Sequence, residues 1–204
     1  MHIQHGKIIN CVNNGDVICG TTFKETGGIV GWNPGSLLIR NCINIGNVTV
    51  VDTCGGGIIA LSRGGAWTAE VTLSIENCIN IGNIKSTNGI TGGIIGWQGT
   101  VAAKSYLYIR NSLNFGKVEG RHTGAAIGKI DTSTSTETKT EFESVYCEGT
   151  AIGTGTLTSG EVTQKTASEM KSQSFVDLLN SNIGTNADWK RWKLGKDGYP
   201  TFEE

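Results

Sequence analysis

Histidines, the usual metal ligands and proton carriers of active sites, are few in this sequence. His2, His5 and His122 do not form the His-Glu-x-x-His pattern, in which two zinc ligands and a general base share one helical face. His2 and His5 resemble a frayed terminus, and His122 resembles a loop residue. No Gly-x-Ser-x-Gly nucleophile motif and no phosphate-binding loop is present. The sequence therefore predicts no metal site and no cofactor.

Carboxylates could support a second kind of chemistry, because β-helical enzymes that cleave carbohydrates need a close pair of them or a calcium site. The aspartates Asp16, Asp52 and Asp131 are instead scattered through the repeats. Asp16 aligns with turn asparagines of other repeats, which favours a turn role. We therefore expect that the chain is not an enzyme.

Three tryptophans are the candidate ligand-binding residues. Trp32 and Trp97 each follow a Gly-Gly-apolar-apolar-Gly phrase, and Trp67 lies in an inserted loop nearby. Exposed indole rings have a flat apolar face and a polar edge, so they could stack on sugar rings. The alternative is that these rings cover a corner of the fold.

Six cysteines raise the possibility of disulfides, but their positions favour another role. Cys11, Cys42 and Cys78 occupy the same slot of successive repeats, and Ser112 fills that slot in the fourth. Three thiols in one column cannot all pair, and no Cys-x-x-Cys zinc pattern occurs. We interpret them as small residues that pack in a column.

These residues lie in a repeat, which determines where they can be placed. The phrases NCVNNGDV, NCINIGNV, NCINIGNI and NSLNFGKV begin at Asn10, Asn41, Asn77 and Asn111, which are 31, 36 and 34 residues apart, and a worn copy lies near Ser144. A repeat of this length is typical of a solenoid, whose repeats bury their apolar faces only against one another. Short runs rich in β-formers, broken by Gly and Asn, predict strands that stack in parallel register.

The repeats align into columns of equivalent residues. Three apolar columns are Ile8/Ile39/Ile75/Ile109, Val17/Val48/Ile84/Val118 and Val30/Ile59/Ile95/Ile127. Two further columns consist of asparagine: the first asparagine column is Asn10/Asn41/Asn77/Asn111, and the second is Asn13/Asn44/Asn80/Asn114. Asparagine tolerates left-handed backbone, and stacked amides can bond from coil to coil. The sequence does not decide whether Cys42 or Ile43 points inward.

The face outside these columns and the end of the chain carry less regular signals. The column Arg40/Glu76/Arg110 alternates in charge, and we expect it to be solvated. The Ser/Thr-rich segment 131–141 predicts an exposed, mobile loop. Thr166 and Glu169 form a capping box, and an apolar stripe up to Asn182 and Gly184 predicts a helix, followed by two short strands. We expect residues 1–165 to form the solenoid and residues 166–204 to form a cap over its open end.

Composition limits the partners of the chain. Seventeen basic and eighteen acidic residues leave a net charge of −1, which offers no basic surface to nucleic acid. The apolar runs are too short to insert into a bilayer. The chain begins almost inside a repeat and shows no signal sequence, so we interpret it as a fragment of a longer protein. The missing signal sequence therefore says little about whether that protein is exported.

The phrase Ile-x-Asn-Cys-x-Asn-x-Gly-x-Val, followed by Gly-Gly-Ile-Val-Gly, resembles the GLUG motif over about residues 8–151. The sequence departs from the pattern at Asn14 and Ser112. The segment from Met170 to Pro200 is similar to those that often follow such repeats in bacterial surface proteins. The resemblance implies a β-solenoid, secretion or surface display, and adhesin-like roles; the motif also occurs beside the catalytic domain of immunoglobulin-A-cleaving metalloproteases. The family assigns the motif no catalytic residue, so none carries over.

The sequence thus predicts an all-β fold: a parallel β-solenoid, expected to be a right-handed β-helix, of four to five coils with a C-terminal helix and strand cap. The predicted function is a non-catalytic module of a secreted or cell-surface bacterial protein, an adhesin-like spacer or binding platform. The alternative is a carbohydrate-binding, or less readily a carbohydrate-cleaving, β-helix. The expected partner is a glycan or a host or cell-surface protein.

Overall fold

The computed structural model describes residues 5–20, 25–64, 69–99, 103–131 and 135–203. These residues form the predicted all-β parallel solenoid, with about four turns and few helical residues. Its sides are one nine-stranded, one five-stranded and two four-stranded sheets. Within the described ranges, no helix combines the length and apolarity needed to cross a membrane.

The strands are β1 (His5–Ile9), β2 (Val12–Asn13), β3 (Val17–Ile18), β4 (Thr26–Gly27), β5 (Val30–Asn33), β6 (Ser36–Arg40), β7 (Ile43–Asn44), β8 (Val48–Val50), β9 (Cys54–Gly56), β10 (Ile59–Ser62), β11 (Glu70–Glu76), β12 (Ile79–Asn80), β13 (Ile84–Ser86), β14 (Ile90–Gly92), β15 (Ile95–Gln98), β16 (Lys104–Asn114), β17 (Val118–Glu119), β18 (His122–Gly124), β19 (Ile127–Ile130), β20 (Glu137–Cys147), β21 (Ile152–Thr154), β22 (Ser159–Gln164), β23 (Trp192–Leu194) and β24 (Pro200–Phe202). The helices are α1 (Ala167–Met170) and α2 (Gln173–Ile183).

Each coil is one turn of the chain around the solenoid. Coil 1 comprises β1–β5, coil 2 β6–β10, coil 3 β11–β15, coil 4 β16–β19, and coil 5 β20 and β21. Strands at the same place in successive coils pair in parallel, so the sequence columns become ladders. Ile8 pairs with Ile39, and Ile39 and Ile109 each pair with Ile75, as the repeat alignment predicts.

The asparagine that begins each repeat turns the chain between two sides of the coil. Asn10, Asn41, Asn77 and Asn111 all have positive φ, between 43° and 59°. Asparagine adopts this left-handed conformation at lower cost than most side chains. The turn resolves the orientation that the sequence leaves open: Cys42 belongs to the core inside the solenoid, whereas Ile43 packs outward against the C-terminal segment.

The two recurring phrases of the repeat meet across the interior. A Cβ atom added to Gly28, Gly57 or Gly93 would overlap the side-chain amide of Asn44, Asn80 or Asn114, respectively. The glycine phrase is therefore needed to make room for the second asparagine column in the following coil.

The degenerate fifth repeat forms a long strand, and the predicted mobile loop at residues 131–141 is partly wrong. Part of the segment expected to be a mobile loop, from Glu137 onward, belongs to β20, which pairs with β16 along its whole length. Threonine is β-branched and fits a pleated strand, so Thr138 pairs with Ser105 and Thr140, nearly fully buried, pairs with Leu107. Ser144 occupies the slot of the first asparagine column, with the same positive φ.

The C-terminal segment, residues 166–203, is called the tail below. It contains the predicted capping box at Thr166 and Glu169, the predicted helix, and the predicted strand pair, which is antiparallel. Its position differs from the expectation of an end cap. The apolar side of the tail packs against residues of four successive coils, Ile43, Ile79, Leu113 and Tyr146, so it covers the flank of the solenoid.

Candidate functional site

The predicted indole site lies on an outer side of the solenoid, where Trp32, Leu61, Trp97 and Lys129 stack in register. Trp32 is 57% exposed, the largest aromatic side chain left open among the described residues. Its Nε1 donates to the Arg63 carbonyl oxygen at 3.4 Å, which fixes the edge of the ring and leaves a face toward solvent. The structure therefore places one open stacking surface at Trp32.

Trp97 lies in a different environment. The Arg63 guanidinium and the Lys129 ammonium are 5.6 Å and 5.0 Å from its ring centre, within cation–π range. Leu61, only 5% exposed, separates it from Trp32 in the column. The two rings therefore do not form one shared flat platform. Trp67 lies outside the described residues.

The second asparagine column is a buried ladder. Asn13 donates to Asn44 at 2.8 Å, Asn44 to Asn80 at 2.7 Å, and Asn80 to Asn114 at 2.7 Å. Each of these amides also donates to the carbonyl oxygen two residues ahead, as Asn80 does to Gly82. Asn44, Asn80 and Asn114 are buried and Asn13 is half-buried, and their amides bond within the protein, so this column stabilises the solenoid.

The first asparagine column is also bonded from coil to coil: Asn41 donates to Asn10 at 3.1 Å, and Asn77 and Asn111 donate to the preceding amide at 2.8 Å each. Unlike the second column, it also forms hydrogen bonds to the backbone of the tail. The Nδ2 groups of Asn41, Asn77 and Asn111 donate to the carbonyl oxygens of Asp188, Lys190 and Leu179, respectively.

Asn41 shows how this recognition works. Its Nδ2 donates to the Asp188 carbonyl at 2.9 Å, and its Oδ1 accepts from the Lys190 backbone N–H at 3.1 Å. One side-chain amide thus pairs with both backbone groups of a short peptide segment, as the edge of a β-strand would. This geometry recognises backbone and is indifferent to the sequence of the bound segment.

The tail covers the charged column beside these asparagines at Arg40 and Glu76, so the expectation of a solvated face is wrong there, whereas the Arg110 side chain remains 32% exposed. Glu76 is 8% exposed and contacts Arg40 Nε at 2.9 Å, and Trp189 Nε1 donates to the same carboxylate at 3.1 Å. Arg40 also contacts Asp188 at 2.6 Å. The tail causes this burial, and nothing in the repeat itself indicates the path that the tail takes.

Coil 1 extends beyond the tail and leaves an open groove. This lateral groove has a volume of about 340 Å³ and is lined by Lys7, Ile9, Asn10, Leu38, Arg40, Asn41, Asp188 and Lys190. Asn10 is exposed there, although it occupies the same slot as Asn41. The sequence predicts only a structural role for Asn10. Its repeat position, equivalent to that of Asn41, is the signal that it could also bind a peptide, once the structure shows that the tail does not extend to it.

The cysteine column is buried in the interior except at coil 1. Cys42 and Cys78 are at most 1% exposed, Cys11 is exposed, and all six cysteines are free thiols. Burial raises the pKa of Cys54 and of Cys147 to about 12, and burial also raises the pKa of Cys78. Among the described residues, no group of three or more His, Cys, Asp or Glu side chains could hold a metal ion.

One solved structure is similar over nearly the whole chain: that of a putative immunoglobulin A1 protease from Bacteroides ovatus, with a TM-score of 0.60 and 25% sequence identity. The match covers 97% of this chain and 57% of that one, so this chain spans little more than half of the similar protein. No family model and no curated protein matches the sequence.

This similarity corrects one expectation. The sequence, lacking recognisable catalytic patterns, predicts a chain that is not an enzyme, whereas the solved structure that shares its fold along 97% of its length belongs to a protein named for protease activity. The motifs considered above represent only some kinds of catalytic site. A repeat pattern that determines the fold does not indicate whether the protein also has catalytic activity. The prediction of a non-enzyme is therefore wrong on this finding.

Proposed function

We propose that the chain is the GLUG-type solenoid module of a bacterial secreted or cell-surface protein of the protease type, and that it acts in proteolysis by holding the protein substrate. The observation that carries the proposal is the similarity to the Bacteroides ovatus structure along 97% of the chain. An adhesin-like role is part of the same proposal, because a module that holds a host protein also attaches its bearer to that protein.

The architecture supports this proposal. A parallel ladder presents its side chains in straight rows at a spacing of about 4.8 Å, so a long partner can contact several coils at once. The tail, bonded to Asn41, Asn77 and Asn111, already provides one example of a polypeptide held across coils. A flank that holds its own chain in this way is suited to holding another.

Immunoglobulin A1 is the substrate to test first. The purified chain, immobilised, is titrated with immunoglobulin A1 in biolayer interferometry, and a parallel incubation is analysed by gel electrophoresis for cleaved heavy chain. Saturable binding, with or without cleavage, supports the proposal. Absence of both, with the chain shown to be folded by circular dichroism, overturns it for this substrate.

Carbohydrate binding is the second candidate function, favoured by Trp32. This ring is 57% exposed, and Arg63, which is also exposed, contributes the backbone carbonyl that holds it. A glycan array compares the native chain with Trp32→Ala, and Ile18→Ala serves as the control because Ile18 is 73% exposed on β3. Binding that is lost only in Trp32→Ala establishes a sugar site; binding unaffected by Trp32→Ala excludes this ring.

A further inference from the structure

Asn10 belongs to the first asparagine column, but it does not bind a segment of the tail as Asn41 does. Its Oδ1 accepts from Asn41 Nδ2 at 3.1 Å, and its own Nδ2 makes no hydrogen bond to any residue that the structure describes. The side chain is exposed and lies in the lateral groove. The φ angles are 59° at Asn10 and 53° at Asn41, so both residues make the same left-handed turn.

The tail shows what fits such an amide. Residues 188–190 run past Asn41 so that a carbonyl and an N–H two residues apart meet the two ends of one side-chain amide, at 2.9 Å and 3.1 Å. Asp188 and Lys190 also line the groove that leads to Asn10. The groove thus continues an established peptide-binding face by one coil.

Charge indicates the kind of peptide. Three cationic side chains line the groove, Lys7, Arg40 and Lys190, against the single carboxylate of Asp188. Arg40 is neutralised by Glu76 and Asp188, whereas neither lysine has an ion-pair partner among the described residues. Ile9, 39% exposed, adds an apolar contact.

We propose that the lateral groove binds an extended, acidic polypeptide segment, whose backbone carbonyl accepts from Asn10 Nδ2 while its carboxylates face Lys7 and Lys190. The inference deepens the proposed function, since it names the substrate class as an unfolded acidic stretch of a protein. The groove lies on the flank of the solenoid, beside the tail.

The test is fluorescence anisotropy with a labelled peptide of alternating Glu and Val, compared with one of alternating Lys and Val. We expect the native chain to bind the Glu peptide, more weakly as salt rises, and to bind the Lys peptide at least tenfold more weakly. Asn10→Gly keeps the positive φ but removes the amide, and should raise the Kd of the Glu peptide about fivefold. Lys7→Gln should reduce the salt dependence.

Matched controls are Asn88→Ala and Lys85→Gln, which alter exposed residues on other sides of the solenoid; both should leave the Kd unchanged. Equal thermal unfolding of all variants confirms that they fold. An unchanged Kd in Asn10→Gly, equal binding of both peptides, or no binding of the Glu peptide overturns the inference.

Immunoglobulin A1 separates this inference from the proposed function. If the native chain and Asn10→Gly bind immunoglobulin A1 equally, the groove is not the site and the proposed function stands. If the Glu peptide binds through Asn10 but immunoglobulin A1 does not bind, the peptide site stands and the choice of substrate is wrong.

Discussion

Replacing Asn77 by alanine should destabilise the fold far more than the same replacement at Asn10. Asn77 is fully buried and makes four side-chain hydrogen bonds: to Asn41 and the Lys190 carbonyl, and from Asn111 and Trp192 Nε1, all between 2.7 and 2.9 Å. After truncation, Asn41 Oδ1 and Asn111 Nδ2 keep their bonds to the tail. The Lys190 carbonyl and Trp192 Nε1 lose theirs.

The expected magnitude follows from these two groups. Each buried polar group without a partner costs about 1–3 kcal/mol, and alanine in left-handed backbone costs about 1 kcal/mol more. We therefore expect Asn77→Ala to lower the free energy of unfolding by about 4 kcal/mol, and Asn77→Gly, which loses the same hydrogen bonds but has no backbone strain, by about 3 kcal/mol. Asn10→Ala, exposed to water, should cost about 1 kcal/mol.

Equilibrium unfolding in urea, followed by circular dichroism and by tryptophan fluorescence, measures these differences. Trp192 is 1% exposed and bonded to Asn77, so Asn77→Ala should also shift the native emission toward longer wavelength. If Asn77→Ala and Asn10→Ala differ by less than about 1 kcal/mol, the claim that this column holds the tail is refuted.

Other replacements test other parts of the structure. Gly46→Ala should prevent folding or lower the free energy of unfolding by more than about 3 kcal/mol, because the new Cβ would overlap the backbone of Gly15 in the preceding coil. Gly20→Ala should be neutral in urea unfolding, because the new Cβ would have no atom of the described residues within 4 Å. The free energy of unfolding should fall as pH rises from about 9 toward 12, since the buried thiols of Cys54 and Cys147 have a pKa of about 12 against 9.0 in the unfolded chain. The stabilisation by these two neutral thiols is complete below pH 9. Replacing both by alanine should make the fall measured by urea unfolding smaller, and the buried thiol of Cys78, whose pKa burial also raises, should account for part of what is left. Glu76→Ala should cost about 3 kcal/mol, because it leaves Arg40 partly unpaired under the tail, and a loss below about 1 kcal/mol would contradict the covered position of this carboxylate.

The solenoid could be predicted from the sequence because each coil repeats the same local sequence pattern. The alignment of Val17 with Val48, or of Ile95 with Ile127, is the pairing register that the structure contains. Asparagine at each turn and glycine opposite it act within a single repeat and its neighbour, so short-range reasoning reaches them.

The flank could not be predicted, because it depends on contacts between residues far apart in the sequence. Arg40 and Asp188 are 148 residues apart, and no repeat aligns the tail with the coil it covers. The burial of Glu76 and the open end of the groove at Asn10 both follow from the position of the tail on the flank of the solenoid. Trp32 was found from its position after the glycine phrase, but its exposure and the engagement of Trp97 required the structure.

The most direct test of the central claim is the titration of immunoglobulin A1 onto the immobilised native chain by biolayer interferometry. Our account predicts saturable binding that weakens as salt rises and is reduced in Asn10→Gly but not in Asn88→Ala. Failure of the folded native chain to bind would contradict the claim that this solenoid holds a protein substrate of that kind.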